Sequence, residues 1–230
     1  MSRFIYALAV LILNLSVSAA QAIDPPASTA NVEAPQGSFL IHEDLPDDTS
    51  RQLGMARQSL LTVDLGAAAQ QLRKAAANLR NTSNQADDAT KPRLNDSADE
   101  LDSLAHRVEN GKVKSAHELD KPSARALQRL SHHHYLMAQR SWLHKQRERT
   151  GKQLRAAADN LEHAARLSGQ EVQAATQTVV TDVRLISGKL VEGMGYGVDE
   201  VGQGFEKLGR QVESVGTGME PTQKTVLRTK

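Results

Sequence analysis

No cysteine occurs among the 230 residues, which excludes disulfides and thiolate metal sites and leaves packing alone to hold an exported fold together. Aromatic residues are nearly as scarce, at 3%. With alanine and leucine dominating the apolar positions, that composition favours helices joined through narrow seams over a sheet or a deep globular core. Charge of one sign is missing too. Arg3 is the only charged residue in 1–22, so removing that segment leaves 27 basic against 27 acidic residues, and no global field draws the chain to nucleic acid or anionic lipid. A single long apolar run exists, at 4–17, and it is shorter than the roughly 20 residues that span a bilayer.

That run follows Arg3 and precedes Ala20-Gln21-Ala22, the three parts of a secretory signal peptide, so residues 1–22 are expected to be cleaved. The expected location is then periplasmic or extracellular, with no membrane span left in the mature chain. Residues 23–49 hold four prolines and no sustained periodicity, which reads as a flexible linker. An apolar stripe at Leu61, Leu65, Ala68, Leu72, Ala75 and Leu79 predicts a first helix over 50–85. Pro92 opens a second over 92–109, stopped by Asn110-Gly111. A long third helix is predicted over 122–168, with Thr150-Gly151 as its one candidate break and Gly169 as its cap, and a fourth over 170–217. Residues 219–230 read as a disordered tail. The expected fold is all-α, an elongated antiparallel bundle of about four helices occupying 50–218.

An internal match runs through these helices at an offset of 82. Met55, Ala56, Ser59, Leu61, Gln71, Leu72, Arg73, Ala75, Ala76, Asn78 and Leu79 recur as Met137, Ala138, Ser141, Leu143, Gln153, Leu154, Arg155, Ala157, Ala158, Asn160 and Leu161. Either a duplication or shared alanine-rich composition produces such a match, and residues 62–70 share nothing with 144–152. Because Gly151 corresponds to Ala69 inside the first helix, the match argues for an unbroken third helix.

The last helix carries the most regular pattern in the chain. Glycine recurs every seventh residue at Gly188, Gly195, Gly202, Gly209 and Gly216. Val191, Val198, Phe205, Val212 and Met219 take heptad position a, Met194, Val201, Leu208 and Val215 take d, and acids from Glu192 to Glu220 take b. The periodic glycines fall at e, while Gly197, Gly204 and Gly218 fall at g. Nine glycines lie between 188 and 220, costing an isolated helix on the order of 8 kcal/mol relative to alanine. Close approach of a partner is the expected compensation, as small residues permit elsewhere. A hairpin turning at Gly169 pairs residues whose numbers add to about 339, which sets Gly195 and Gly197 against Trp142 and Phe205 against His134. The predicted docking seam is therefore Trp142, Gly188, Gly195, Gly197, Gly202, Gly204, Phe205 and Gly209.

Chemistry-bearing clusters are few. His132, His133, His134 and Met137, with His144 three turns on, offer soft-metal ligands, although consecutive histidines point in different directions around a helix. Arg140, Lys145, Arg147, Arg149 and Lys152 face a single acid, Glu148, and form a candidate polyanion site or a complement to the acidic positions of the tail. No triad, carboxylate pair or phosphate loop is present. The sequence thus predicts a non-enzymatic interaction or scaffold protein without a cofactor. Its partner is an envelope protein or a second copy of itself, and the alternatives are metal or polyanion binding and reversible attachment of the glycine-heptad tail to a membrane surface.

Overall fold

The computed structural model describes residues 48–219. The expected signal peptide, nearly all of the expected linker and the segment after Met219 lie outside the described residues. The fold is all-α, with seven helices among the described residues: α1 (Asp48–Leu61), α2 (Leu65–Ser83), α3 (Lys91–Glu109), α4 (His117–Leu143), α5 (Arg147–Ser168), α6 (Gln170–Glu192) and α7 (Val198–Met219). Each of the first six packs on the next, and α7 returns to pack on α4 and α6. Leucines and alanines fill the seams. Leu72, Ala75, Leu79, Leu154, Ala157 and Leu161 are fully buried, the alanines letting neighbouring helices close on the leucines between them.

Four expected helices become seven because three of the predicted spans break. The span 50–85 divides at Thr62-Val63-Asp64, and 122–168 divides at His144-Lys145-Gln146 rather than at Thr150-Gly151. The tail divides at 193–197, where Gly193 and Gly195 take left-handed backbone at φ 74° and 69°. The α4 helix also begins five residues before the expected position. Glu118 in its first turn accepts the backbone N–H groups of Lys114 and Ser115 at 2.8 and 3.3 Å, and the His117 N–H donates to Ser115 Oγ at 3.2 Å, which ties the preceding connection to the helix start and satisfies one of its first donors.

The two unexpected breaks are the same structure 82 residues apart. Val63 and Lys145 have φ of 61° and 58°, left-handed values uncommon for side chains of either kind. The N–H groups of Thr62, Val63 and Asp64 donate to Gln58, Leu60 and Ser59, and those of His144, Lys145 and Gln146 donate to Arg140, Trp142 and Ser141, each partner 82 higher. Asp64 and Gln146 then start the next helix with φ, ψ of −88°, 82° and −86°, 75°. The correspondence continues at the far end. Gly111 and Gly193 close α3 and α6 with φ of 65° and 74°, and Lys112 and Met194 donate to the carbonyls of Arg107 and Lys189. Even an ion pair is preserved with its charges exchanged: Arg80 meets Asp102 at 2.7 Å between α2 and α3, and Glu162 meets Arg184 at 2.6 Å between α5 and α6.

The chain therefore repeats a three-helix unit, α1-α2-α3 then α4-α5-α6, with α7 beginning a third. Buried Leu119, Ser123, Ala126, Leu127, Leu130 and His133 of α4 stand 82 before buried Val201, Phe205, Leu208, Gly209, Val212 and Val215 of α7. What the offset does not imply is continuity: 62–70 and 144–152 diverge in sequence while forming one backbone motif.

Candidate functional site

The α7 helix lies antiparallel to α4, and the glycines of 188–218 separate into three kinds. Gly204, Gly209 and Gly216 are close approaches. A Cβ there would stand 2.6 Å from Ile186 Cδ1, 2.6 Å from the Tyr135 hydroxyl and 2.5 Å from Gln128 Nε2 respectively. Gly216 bares the backbone one turn back, so Gln128 Nε2 donates to the carbonyl of Val212 at 3.0 Å. Each neighbour is the tip of a flexible side chain, so a methyl at these sites is accommodated by side-chain movement. Gly193 and Gly195 serve conformation instead, holding left-handed backbone in the α6–α7 connection. Gly188 and Gly202 face open space, and a Cβ at Gly197 would meet only Glu200, three residues along the chain, at 3.9 Å, which corrects their expected part in the seam; Gly218 is open as well.

These classes give opposite mutational signs. Gly202→Ala should raise stability by about 0.8 to 1 kcal/mol through helix propensity, whereas Gly195→Ala should lower it by about 1 to 2 kcal/mol because its backbone is left-handed. Paired urea melts of the two variants check both. Gly195→Leu loses stability for this backbone reason and not by collision with Trp142, since nothing lies within 4 Å of a Cβ at Gly195.

Trp142 and the connection do meet. The Trp142 ring packs edge-on against Tyr196 with centroids 6.4 Å apart, between Gly195 and Gly197, and Arg147 Cζ stands 5.9 Å from the Tyr196 ring centroid, within cation–π range. This brings the α4–α5 and α6–α7 connections together at one end of the pair. Large apolar side chains remain exposed there: Leu143 at 80%, Met194 at 69% and Val198 at 69%. Farther along, Phe205 meets Tyr135 edge-on at 6.1 Å, one residue beyond the His134 that the sequence register selects.

The histidines diverge as helix geometry requires. His133 is buried, and burial, with the charge of His134 next, pushes its imidazole down to about 4. His134 shares a 2.7 Å hydrogen bond with Gln153 Oε1, Met137 is half-buried, and His144 is exposed at the end of α4. No group of three or more metal-ligating His, Cys, Asp or Glu side chains forms among the described residues.

The basic stretch is equally dispersed. Arg140 lies 3.9 Å from Asp87 and Lys152 lies 3.1 Å from Glu148. Lys145 forms the left-handed break, and Arg149 is exposed beside Arg147. Acidic tail positions do not complement this stretch: Glu200 pairs with Lys189 at 2.6 Å and Glu206 with Arg210 at 2.7 Å, while Glu220 lies outside the described residues. Position b of a heptad points to solvent, which is why Glu206 finds its partner on its own helix, while Glu200, at position c, reaches Lys189 near the end of α6. Positive charge gathers elsewhere, at Arg93, Arg125 and Arg129, beside His132, between α3, α4 and α7. Two helices supply that cluster, so its only sequence signal was the high arginine content of 125–129.

Comparison with family models, with curated proteins and with solved structures yields no match.

Proposed function

We propose that the protein is an exported, non-enzymatic helical scaffold of the cell envelope that binds a protein partner through the end formed by the α4–α5 and α6–α7 connections. The observation that carries this reading is the gathering of Leu143, Met194 and Val198, all largely exposed, around the Trp142–Tyr196 contact. Leu61 and Val63 at the α1–α2 break and Leu185 on α6 are exposed too, but here exposed apolar side chains of two connections are brought together by an aromatic contact, and clustered apolar surface commonly marks a protein interface. No described helix is long and apolar enough to cross a membrane. Membrane attachment by the tail is disfavoured because Val201, Leu208, Val212 and Val215 of α7 are buried and would have to undock to reach lipid.

A photo-crosslinking residue at Leu143 or Met194, activated in the native envelope fraction, tests the reading. A discrete crosslinked protein, heterologous or a second copy, is expected at these positions and not at exposed Asp99 on α3. Absence of any protein crosslink at both positions contradicts it. Copper or zinc binding that His133→Ala abolishes would move the assignment to the metal alternative.

A further inference from the structure

A hollow of about 360 Å³ lies where α3, α4 and α7 meet, lined by Arg93, Arg125, Arg129, His132, Glu213 and Thr217. Arg125 is already engaged. It donates to both oxygens of Glu100 and to the carbonyl of Met219 at 3.3 Å. Arg129 is held in place through one nitrogen, which donates to the Arg93 carbonyl at 2.6 Å and to the Ser97 hydroxyl at 3.0 Å. Neither Arg129 nor Arg93 forms an ion pair with a carboxylate among the described residues. Two guanidinium groups from two helices therefore open on one hollow; Glu213 also lines it and the charges of Asp96 and Glu100 act on Arg129, but none of these carboxylates forms a contact ion pair with Arg93 or Arg129.

The repeat supplies an internal comparison. A second hollow, of about 300 Å³, carries Ala175, Gln211 and Ser214 at the positions 82 after Arg93, Arg129 and His132. The architecture makes such a hollow with neutral residues, so packing does not demand the arginines. They also carry an energetic cost: burial lowers the affinity of Arg129 for its proton, and burial followed by the Arg93 charge lowers that of His132. A bound anion offsets both effects.

We propose that this hollow binds a phosphate monoester, with Arg93 and Arg129 holding the phosphate oxygens and His132 donating a further hydrogen bond. A planar carboxylate is filled by one guanidinium fork, whereas a tetrahedral dianion presents oxygens to two forks arriving from different helices. The volume exceeds that of a phosphate group and admits a small organic substituent beside Met219.

Calorimetric titration of the mature chain with phenyl phosphate and with benzoate tests the site. Phenyl phosphate should bind saturably and benzoate roughly tenfold or more weakly, and Arg93→Gln should lose roughly tenfold or more in phenyl phosphate affinity. Arg93 is exposed, so this variant should melt like the parent. Phenyl phosphate should also raise the His132 pKa read by NMR, which a merely structural arginine cluster would not do. Flotation with phosphatidylcholine vesicles containing phosphatidic acid identifies the source: Arg93-dependent flotation assigns a lipid headgroup, and calorimetric binding without flotation assigns a soluble monoester. No saturable binding at millimolar concentration, equal binding of benzoate, or unchanged affinity in Arg93→Gln overturns the proposal.

Discussion

Replacing Gly151 with leucine is expected to lower the unfolding free energy by about 3 kcal/mol, the upper end of the usual cost of overpacking. Gly151 is buried inside α5, and a Cβ there would stand 2.7 Å from the carbonyl oxygen of Ser187, with Val191 Cγ2 at 2.9 Å and Leu190 Cβ at 3.1 Å. The first obstacle is backbone of α6 and cannot rotate aside as Tyr135 or Gln128 can at the α7 glycines. Leucine is the better helix former by nearly 1 kcal/mol, so a purely local helix would gain stability. The effects oppose each other, and the collision dominates because α5 and α6 must separate. Chemical denaturation of the variant checks this, and an unchanged or higher midpoint would remove the close approach from the account. Ala69 stands 82 residues earlier, buried in α2, so the α2–α3 seam accepts the methyl that α5–α6 refuses.

Acidification from pH 6.5 to 4 is expected to cost roughly 3 kcal/mol of stability through His133 alone, at 1.36 kcal/mol per pH unit of separation. Its imidazole titrates near 6.5 when unfolded and at about 4 in the fold, chiefly because burial opposes the charged form. Between those values the unfolded chain binds more protons than the folded one, so stability rises with pH through this window and is fully present above 6.5. Burial also depresses His132 and His163, which steepens the loss. Val215 occupies the equivalent position in α7 and is buried there. His133→Val should therefore keep the stability measured at pH 7 and flatten most of the slope below 6.5. A slope as steep as the parent's in thermal melts at several pH values would assign the acid sensitivity elsewhere.

Much of the tail's register could be read from residue numbers, because a heptad stripe and a turn at Gly169 leave few ways to fold back. That reading places Trp142 beside the connection containing Tyr196 and misses the Phe205 contact by one residue. The breaks were hidden. Val63 and Lys145 carry no local mark of left-handed backbone, since glycine is the residue that normally announces it, and their only sign was the loss of resemblance between 62–70 and 144–152. The glycine period also concealed three separate causes: close approach at Gly209, conformation at Gly195 and open space at Gly202. The arginine hollow was illegible because Arg93 and Arg129 meet only when α3 and α4 fold against each other.

The three-helix unit repeats with a period of 82 residues, and the lack of native cysteine makes that repeat directly measurable. Cysteines introduced in pairs at Gln58 and Ser103, and separately at Arg140 and Leu185, place spin labels at exposed equivalent positions of the two units. The repeat predicts narrow distance distributions by pulsed electron spin resonance whose maxima agree to within about 3 Å, well under the diameter of a helix. Maxima differing by about 10 Å, a full helix diameter, or a broad distribution in the second pair, would contradict it.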